Sequence, residues 1–126
     1  MSRKPFESWE EIPKGVINSY DIDGVIYMGE GLDGLRPGPK DIVITGRSIE
    51  TEVLTKKMLS DKGIHNPLYM NNKSKDWNNR EQSGFHKGWT LFHLEQIGYR
   101  FGIHYDDDPV QILSLIHISE PTRLSA

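Results

Sequence analysis

Asp21 and Asp23 are the residues of this chain whose type and spacing most directly suggest chemistry. They stand in Ser19-Tyr20-Asp21-Ile22-Asp23-Gly24-Val25-Ile26, directly after Lys14-Gly15-Val16-Ile17-Asn18, a short β-branched run that reads as a strand. Side chains alternate along a strand, so if the strand runs to its end here the two carboxylates point the same way. Gly24 allows a sharp backbone turn immediately after them. Parallel α/β sheets bind ligands beyond the carboxyl ends of their strands, which is where this pair falls. Two close carboxylates raise each other's pKa unless a cation lies between them, and oxygen ligands of this kind suit Mg²⁺.

Other candidates follow at the ends or starts of the elements that must hold them. Thr45 closes the buried-type strand Asp41-Ile42-Val43-Ile44-Thr45, and Gly46-Arg47 follows. Ser48 is placed to cap a helix running to about Lys62, with Ile49, Val53, Leu54, Met58 and Leu59 as its apolar face and Gly63 as its stop. A third strand is predicted at Pro67-Leu68-Tyr69-Met70, and the polar stretch 71–82, with Lys73, Lys75 and Arg80, reads as a solvated loop. A second helix is predicted over roughly Phe85 to Ile97, with Leu91, Phe92, Leu94 and Ile97 near one face and Lys87 at its start. Phe101 to Tyr105 makes a fourth strand that ends on Asp106-Asp107, and Asp108-Pro109 reads as the cap and first-turn proline of a third helix. His86 and His104 read as packing or surface residues. Strands alternating with helices imply an α/β fold with a parallel sheet. Between the first two strands no helix fits; Val25 to Arg36, apolar pieces around a glycine-rich turn, reads as a β-hairpin.

The totals narrow the class. The chain has 126 residues, enough for one domain, and a hydrophobic fraction of 36% supports one core. A formal net charge of −3 with mixed signs gives no overall basic field of the kind a nucleic-acid binder carries. The absence of cysteine excludes disulfides and cysteine-based zinc sites. No apolar run approaches the length of a membrane span and residues 1–13 form a polar lead-in, so a cytoplasmic protein is the expectation. Composition specifies no oligomeric state. Residues 113–126, from Leu113-Ser114-Leu115-Ile116-His117-Ile118 onward, resemble the in-frame translation of a sequencing-library adapter. They are set aside, which leaves 14–112 as the core domain.

Asp21-Ile22-Asp23-Gly24-Val25 resembles the first motif of the haloacid dehalogenase (HAD) superfamily, and Thr45, Lys87 and Asp106-Asp107 follow in that family's order. The resemblance implies a Rossmann-like core with strands ordered 4-1-2-3, a β-hairpin flap after the first motif, a fifth strand lost by truncation, and no cap domain. It implies a Mg²⁺-dependent phosphatase in which Asp21 is the nucleophile and Asp23 the general acid and base. Mg²⁺ would be held by Asp21, the Asp23 carbonyl, and Asp106 or Asp107, while Thr45, Gly46, Arg47 and Lys87 would hold the phosphoryl group. Arg47 has a second reading as a surface salt bridge. Asp106-Asp107-Asp108-Pro109 is similar to the fourth motif of polynucleotide 3′-phosphatase domains and small phage-encoded HAD-like proteins, which directs the substrate expectation to nucleotides or phosphorylated nucleic-acid ends. Two alternatives stand beside this reading. One is a receiver-like phosphoacceptor module, whose paired acids would belong in the first strand rather than the fourth. The other is a catalytically silent binding domain on the same fold.

Overall fold

The structure, a computed structural model, describes residues 14–32, 34–73 and 79–108. Four strands form one all-parallel sheet: β1 (Val16–Tyr20), β2 (Ile42–Ser48), β3 (Leu68–Asn71) and β4 (Arg100–Tyr105), in the spatial order β3-β2-β1-β4. This is an α/β, Rossmann-like arrangement. Helix α1 (Glu52–Asp61) lies between β2 and β3 in the chain, and α2 (Arg80–Gln96) lies between β3 and β4.

Both faces of the sheet are covered, and the period of two along β2 shows how. Ile42 and Ile44 join Ile17, Tyr69 and Tyr99 under Leu91 and Leu94 of α2. Val43, between them, turns to the opposite face and packs with Tyr20, Ile22, Val25, Ile26, Ile64 and Leu59 of α1. A continuous apolar run such as Ile42-Val43-Ile44 is what a strand buried on both sides requires.

The helices depart from the predicted bounds for local reasons. Ser48 does cap: its Oγ accepts from the Glu50 amide at 3.1 Å. It opens a 3₁₀ turn (Ile49–Thr51) before α1 begins. Three residues per turn rather than 3.6 shift the helix phase. The predicted face is therefore wrong in part: Val53 and Leu54 are 82% and 72% exposed, while Thr55 and Leu59 are buried with Met58 partly covered. Gly63, at φ +75°, ends α1 as predicted. Helix α2 starts five residues earlier than Phe85, because Asn79 Oδ1 accepts from the Gln82 amide at 2.8 Å and caps a polar first turn.

The predicted hairpin is absent: residues 25–32 and 34–36 form no strand pair. The Ile22 carbonyl gathers the amides of Val25, Ile26 and Tyr27, and Leu35 N donates to Val25 O at 2.8 Å. Val25 and Ile26 are adjacent yet both buried, which a strand with alternating faces could not achieve. The segment is thus pinned at its base. The predicted third helix, the fifth strand, the lead-in 1–13 and the tail 113–126 lie outside the described residues.

Candidate functional site

The strand order reverses beside β1: the chain steps from β1 to β2 and β3 on one side, then returns to place β4 on the other. Ligands bind at the carboxyl ends of strands at such a switch point. Asp21 stands there. Its amide donates to Tyr105 O at 2.9 Å, carrying the β1–β4 ladder one residue past Tyr20. It keeps the phase of Ile17 and Ser19, so its side chain faces α2.

Lys87 of α2 meets it. The Lys87 side chain has no exposed surface, and its Nζ lies 2.9 Å from Asp21 Oδ2 and 2.6 Å from Asp106 Oδ2. Two glycines, Gly84 and Gly88, are among the buried residues of the helix beside it. Burial, above all, pushes the Asp21 carboxyl up to about 6; the Lys87 ammonium opposes this and the Asp106 carboxylate adds to it. Burial acts on Asp106 in the same sense, but the hydrogen bond from His104 and the Lys87 charge outweigh it and hold Asp106 below its ordinary value.

Asp107 completes an acidic group. One carboxylate oxygen from each of Asp21, Asp106 and Asp107 lies within 4.8 Å of the others. Gly24 makes the room: at φ +82° it is in the left-handed region, and a Cβ there would collide with the Asp107 carboxylate. The donor set is all oxygen and could hold a hard cation.

Asp23 takes a different partner from Asp21. The strand ends at Tyr20, the chain turns on Ile22, and Arg47 grips the Asp23 carboxylate with two bonds, Nε to Oδ2 at 2.9 Å and Nη2 to Oδ1 at 2.7 Å. The condition for the two carboxylates to share a strand face, a strand running through both, is not met, although both line one cleft. Arg47 has the second of its two sequence readings, an ion pair on a half-exposed partner. Thr45 is fully buried, and its Oγ1 accepts from the Arg47 amide at 3.1 Å. Gly46 follows, its carbonyl accepting from Asn71 Nδ2 at 3.3 Å. A cleft of about 500 Å³ is lined by Asp21, Asp23, Gly24, Gly46, Arg47 and Arg80 among others, and by Asp107 and Asp108. Thr45 and Lys87 are not on its wall.

Two residues take places that the sequence reading does not indicate. Arg80, placed there in a solvated loop, sits in the first turn of α2 and holds Asp108 through Nε and Nη2 at 2.9 and 2.7 Å. Asp108 thereby gains a role beyond helix cap. His104, read as packing or surface, is the second: its ring lies between Ser19 and Asp106, with Nδ1 2.7 Å from Ser19 Oγ and Nε2 3.2 Å from Asp106 Oδ2. The signal was available, since Ser19-x-Asp21 and His104-x-Asp106 each repeat polar residues on one strand face. Lys73, exposed and outside any helix or strand as the loop reading has it, lies away from the cleft, beside an apolar groove lined by Met70, Phe85, His86 and Trp89. Burial pushes His86 down to about 4, so it is neutral at pH 7. Lys75 falls outside the described residues.

No family model, no curated protein and no solved structure matches this chain.

Proposed function

We propose that this chain is a Mg²⁺-dependent phosphomonoester hydrolase of the HAD type, working through an aspartyl-phosphate on Asp21. The observation that carries the reading is the division of charge at the carboxyl ends of β1 and β4. Asp23 has Arg47 and Asp108 has Arg80, but among the described residues the neighbouring carboxylates of Asp21, Asp106 and Asp107 have one ammonium, that of Lys87, which pairs with Asp21 and Asp106. Two negative charges are left over at one point, which favours a bound divalent cation.

In this reading Asp21 Oδ attacks phosphorus and the bond from phosphorus to the leaving oxygen breaks. Asp23, protonated, gives its proton to that oxygen. It then takes a proton from the water that attacks the aspartyl-phosphate, which releases phosphate and restores Asp21. Lys87, fixed between Asp21 and Asp106, orients the nucleophile and offsets its charge. Arg47 would exchange Asp23 for phosphoryl oxygens as the substrate enters, freeing Asp23 to act. Thr45 and Gly46 precede Arg47 on β2, and the Gly46 backbone, which lines the cleft beside Arg47, would support that contact. Bound Mg²⁺ would neutralise the carboxylates and hold one phosphoryl oxygen.

The substrate class follows from the cleft. Between Thr45 and Lys87 the described residues build only α1, β3 and the start of α2, which leaves no cap to enclose a small ester. Arg47 and Arg80 line a site whose Asp23 wall is 56% exposed. A phosphorylated nucleotide or nucleic-acid end, or another large phosphorylated partner, can supply contacts outside such a cleft. The test is phosphate release from p-nitrophenyl phosphate, sugar phosphates and 3′- and 5′-phosphorylated oligonucleotides, with Mg²⁺ and with excess EDTA. Turnover that requires Mg²⁺ and favours the oligonucleotides supports the proposal; turnover undiminished in EDTA sinks it.

A further inference from the structure

The register of β4 against β1 contains an irregularity that decides which side chains reach the site. Ile17 pairs with Phe101, but Ser19 pairs with His104, so β4 carries one residue more than β1 between these pairs. This is a β-bulge at Gly102-Ile103. Asn18 holds it: its Oδ1 accepts from the Ile103 amide at 2.9 Å. Gly102 makes space for it, since a Cβ there would lie 2.8 Å from Asn18 Oδ1 and 2.9 Å from Val16 Cγ1.

The consequence is a change of face. Phe101 packs with the core under α2. Without the bulge, Ile103 and Tyr105 would share that face. With it, His104 and Asp106 do, while Tyr105 goes to the other side and stacks on Tyr20 at 4.6 Å between ring centroids. His104 then has one orientation. A carboxylate accepts and does not donate, so Nε2 carries the hydrogen bonded to Asp106 Oδ2, and in the neutral ring Nδ1 then accepts from the Ser19 hydroxyl. Ser19 is fully buried and the His104 side chain is 10% exposed, so the chain Ser19–His104–Asp106 is shielded from water along its length.

We propose that His104, anchored by Ser19, is the positioning residue that fixes Asp106 for cation binding. It touches neither the cation nor the substrate; it acts through the Asp106 carboxylate, whose Oδ2 it shares with Lys87 while Oδ1 accepts from the Asp108 amide at 3.0 Å. A carboxylate that must serve both an ammonium and a cation needs its plane fixed, and outer partners of metal-binding groups do this. The inference rests on the cation-assisted reading above.

The test is Mn²⁺ titration of the full chain followed by electron paramagnetic resonance, alongside phosphatase turnover and thermal melting. His104→Phe keeps a ring and removes both hydrogen bonds; Mn²⁺ affinity falls about 10-fold or more. His104→Gln returns an N–H near the position of Nε2 and recovers most of that loss, which a purely structural role for the ring would not produce. Ser19→Ala, which removes only the anchor, gives a loss smaller than that of His104→Phe, and it carries the test if His104→Phe does not fold. Wild-type Mn²⁺ affinity in His104→Phe, or in Ser19→Ala should that variant stand alone, overturns the inference. Mn²⁺ binding that weakens as described in a protein that hydrolyses no phosphomonoester upholds the role of His104 and overturns the phosphatase. A wild-type chain that binds no Mn²⁺ overturns both.

Discussion

Lys87→Met is the most informative single change in this molecule. Methionine matches the length and stem of lysine closely, so the substitution removes a charge with little change in packing. The charge it removes is the shared partner of Asp21 and Asp106, whose side chains are 7% and 0% exposed. Taking away one member of a buried ion pair leaves the other uncompensated and costs about 3–5 kcal/mol. Protonation limits the loss here. Asp21 already titrates at about 6, so without Lys87 it takes up a proton near neutral pH and ceases to be a buried charge. Asp106, held below its ordinary value partly by Lys87, cannot escape as cheaply. The lower end of the range, about 3 kcal/mol at pH 7.5, is therefore the expected loss. Set against a total stability of about 5–15 kcal/mol for a domain, that is a drop in melting temperature of about 12 °C or more.

Two features distinguish this electrostatic loss from simple disruption. At pH 5 both carboxylates protonate more readily, so the gap between Lys87→Met and wild type narrows. At pH 7.5, millimolar Mg²⁺ raises the melting temperature of the variant by more than that of wild type, because the cation takes over a charge that Lys87 supplied. Thermal melts by circular dichroism at the two pH values, with and without Mg²⁺, measure all of this. A variant that melts within about 3 °C of wild type at pH 7.5, or whose deficit is the same at pH 5, would show that Lys87 does not neutralise this pair.

Asp21→Asn removes the nucleophile with nearly isosteric replacement; hydrolysis falls by about three orders of magnitude or more while the melting temperature changes little, and a near-normal rate would eliminate the covalent route. Asp21 has a folded pKa of about 6, raised above its unfolded value, so its contribution to metal-free stability is present at low pH and is lost as pH rises through 6. Protons compete with the cation in the same window, so the Mg²⁺-induced rise in melting temperature is larger at pH 7.5 than at pH 5; equal shifts would count against Asp21 as a ligand. Gly24→Ala puts a methyl group where the Asp107 carboxylate sits and strains a left-handed residue, at a cost of about 1–3 kcal/mol, with weaker Mn²⁺ binding as its specific readout. With a phosphorylated oligonucleotide, kcat/KM falls as salt rises, because phosphate contacts release counterions; a salt-insensitive KM and a preference for a small sugar phosphate would refute the substrate assignment.

The sheet was legible because its strands are apolar runs that end in chemistry. The β-branched run at 14–18 forms the strand Val16–Tyr20, and the apolar run Ile42-Val43-Ile44 forms a strand covered on both sides. Helix starts were less legible. The capping role of Asn79 hides in a stretch of polar residues with no apolar period, and the 3₁₀ turn after Ser48 rotates α1 by an amount that no count of hydrophobic positions contains. The flap failed for another reason. Val25-Ile26 looks like half of a hairpin, but burial of both side chains depends on what Ile22 does with its carbonyl, a tertiary fact.

At the site itself, residue types were legible and partners were not. The motif placed Asp21, Lys87 and Asp106 in one neighbourhood, and the structure brings them within hydrogen-bonding distance. What it could not indicate was how five acids are divided among three cations. Arg47 takes Asp23 from one side of the cleft and Arg80 takes Asp108 from the other, each through two bonds. Those pairs satisfy the acids that would otherwise crowd the opening and leave the deficit concentrated on Asp21, Asp106 and Asp107. The allocation depends on a one-residue bulge held by Asn18: were β4 in simple register, Tyr105 rather than Asp106 would face α2, and Lys87 would have Asp21 alone. The difference between a surface rich in aspartate and a site that can hold a divalent cation is, in this chain, one extra residue in β4.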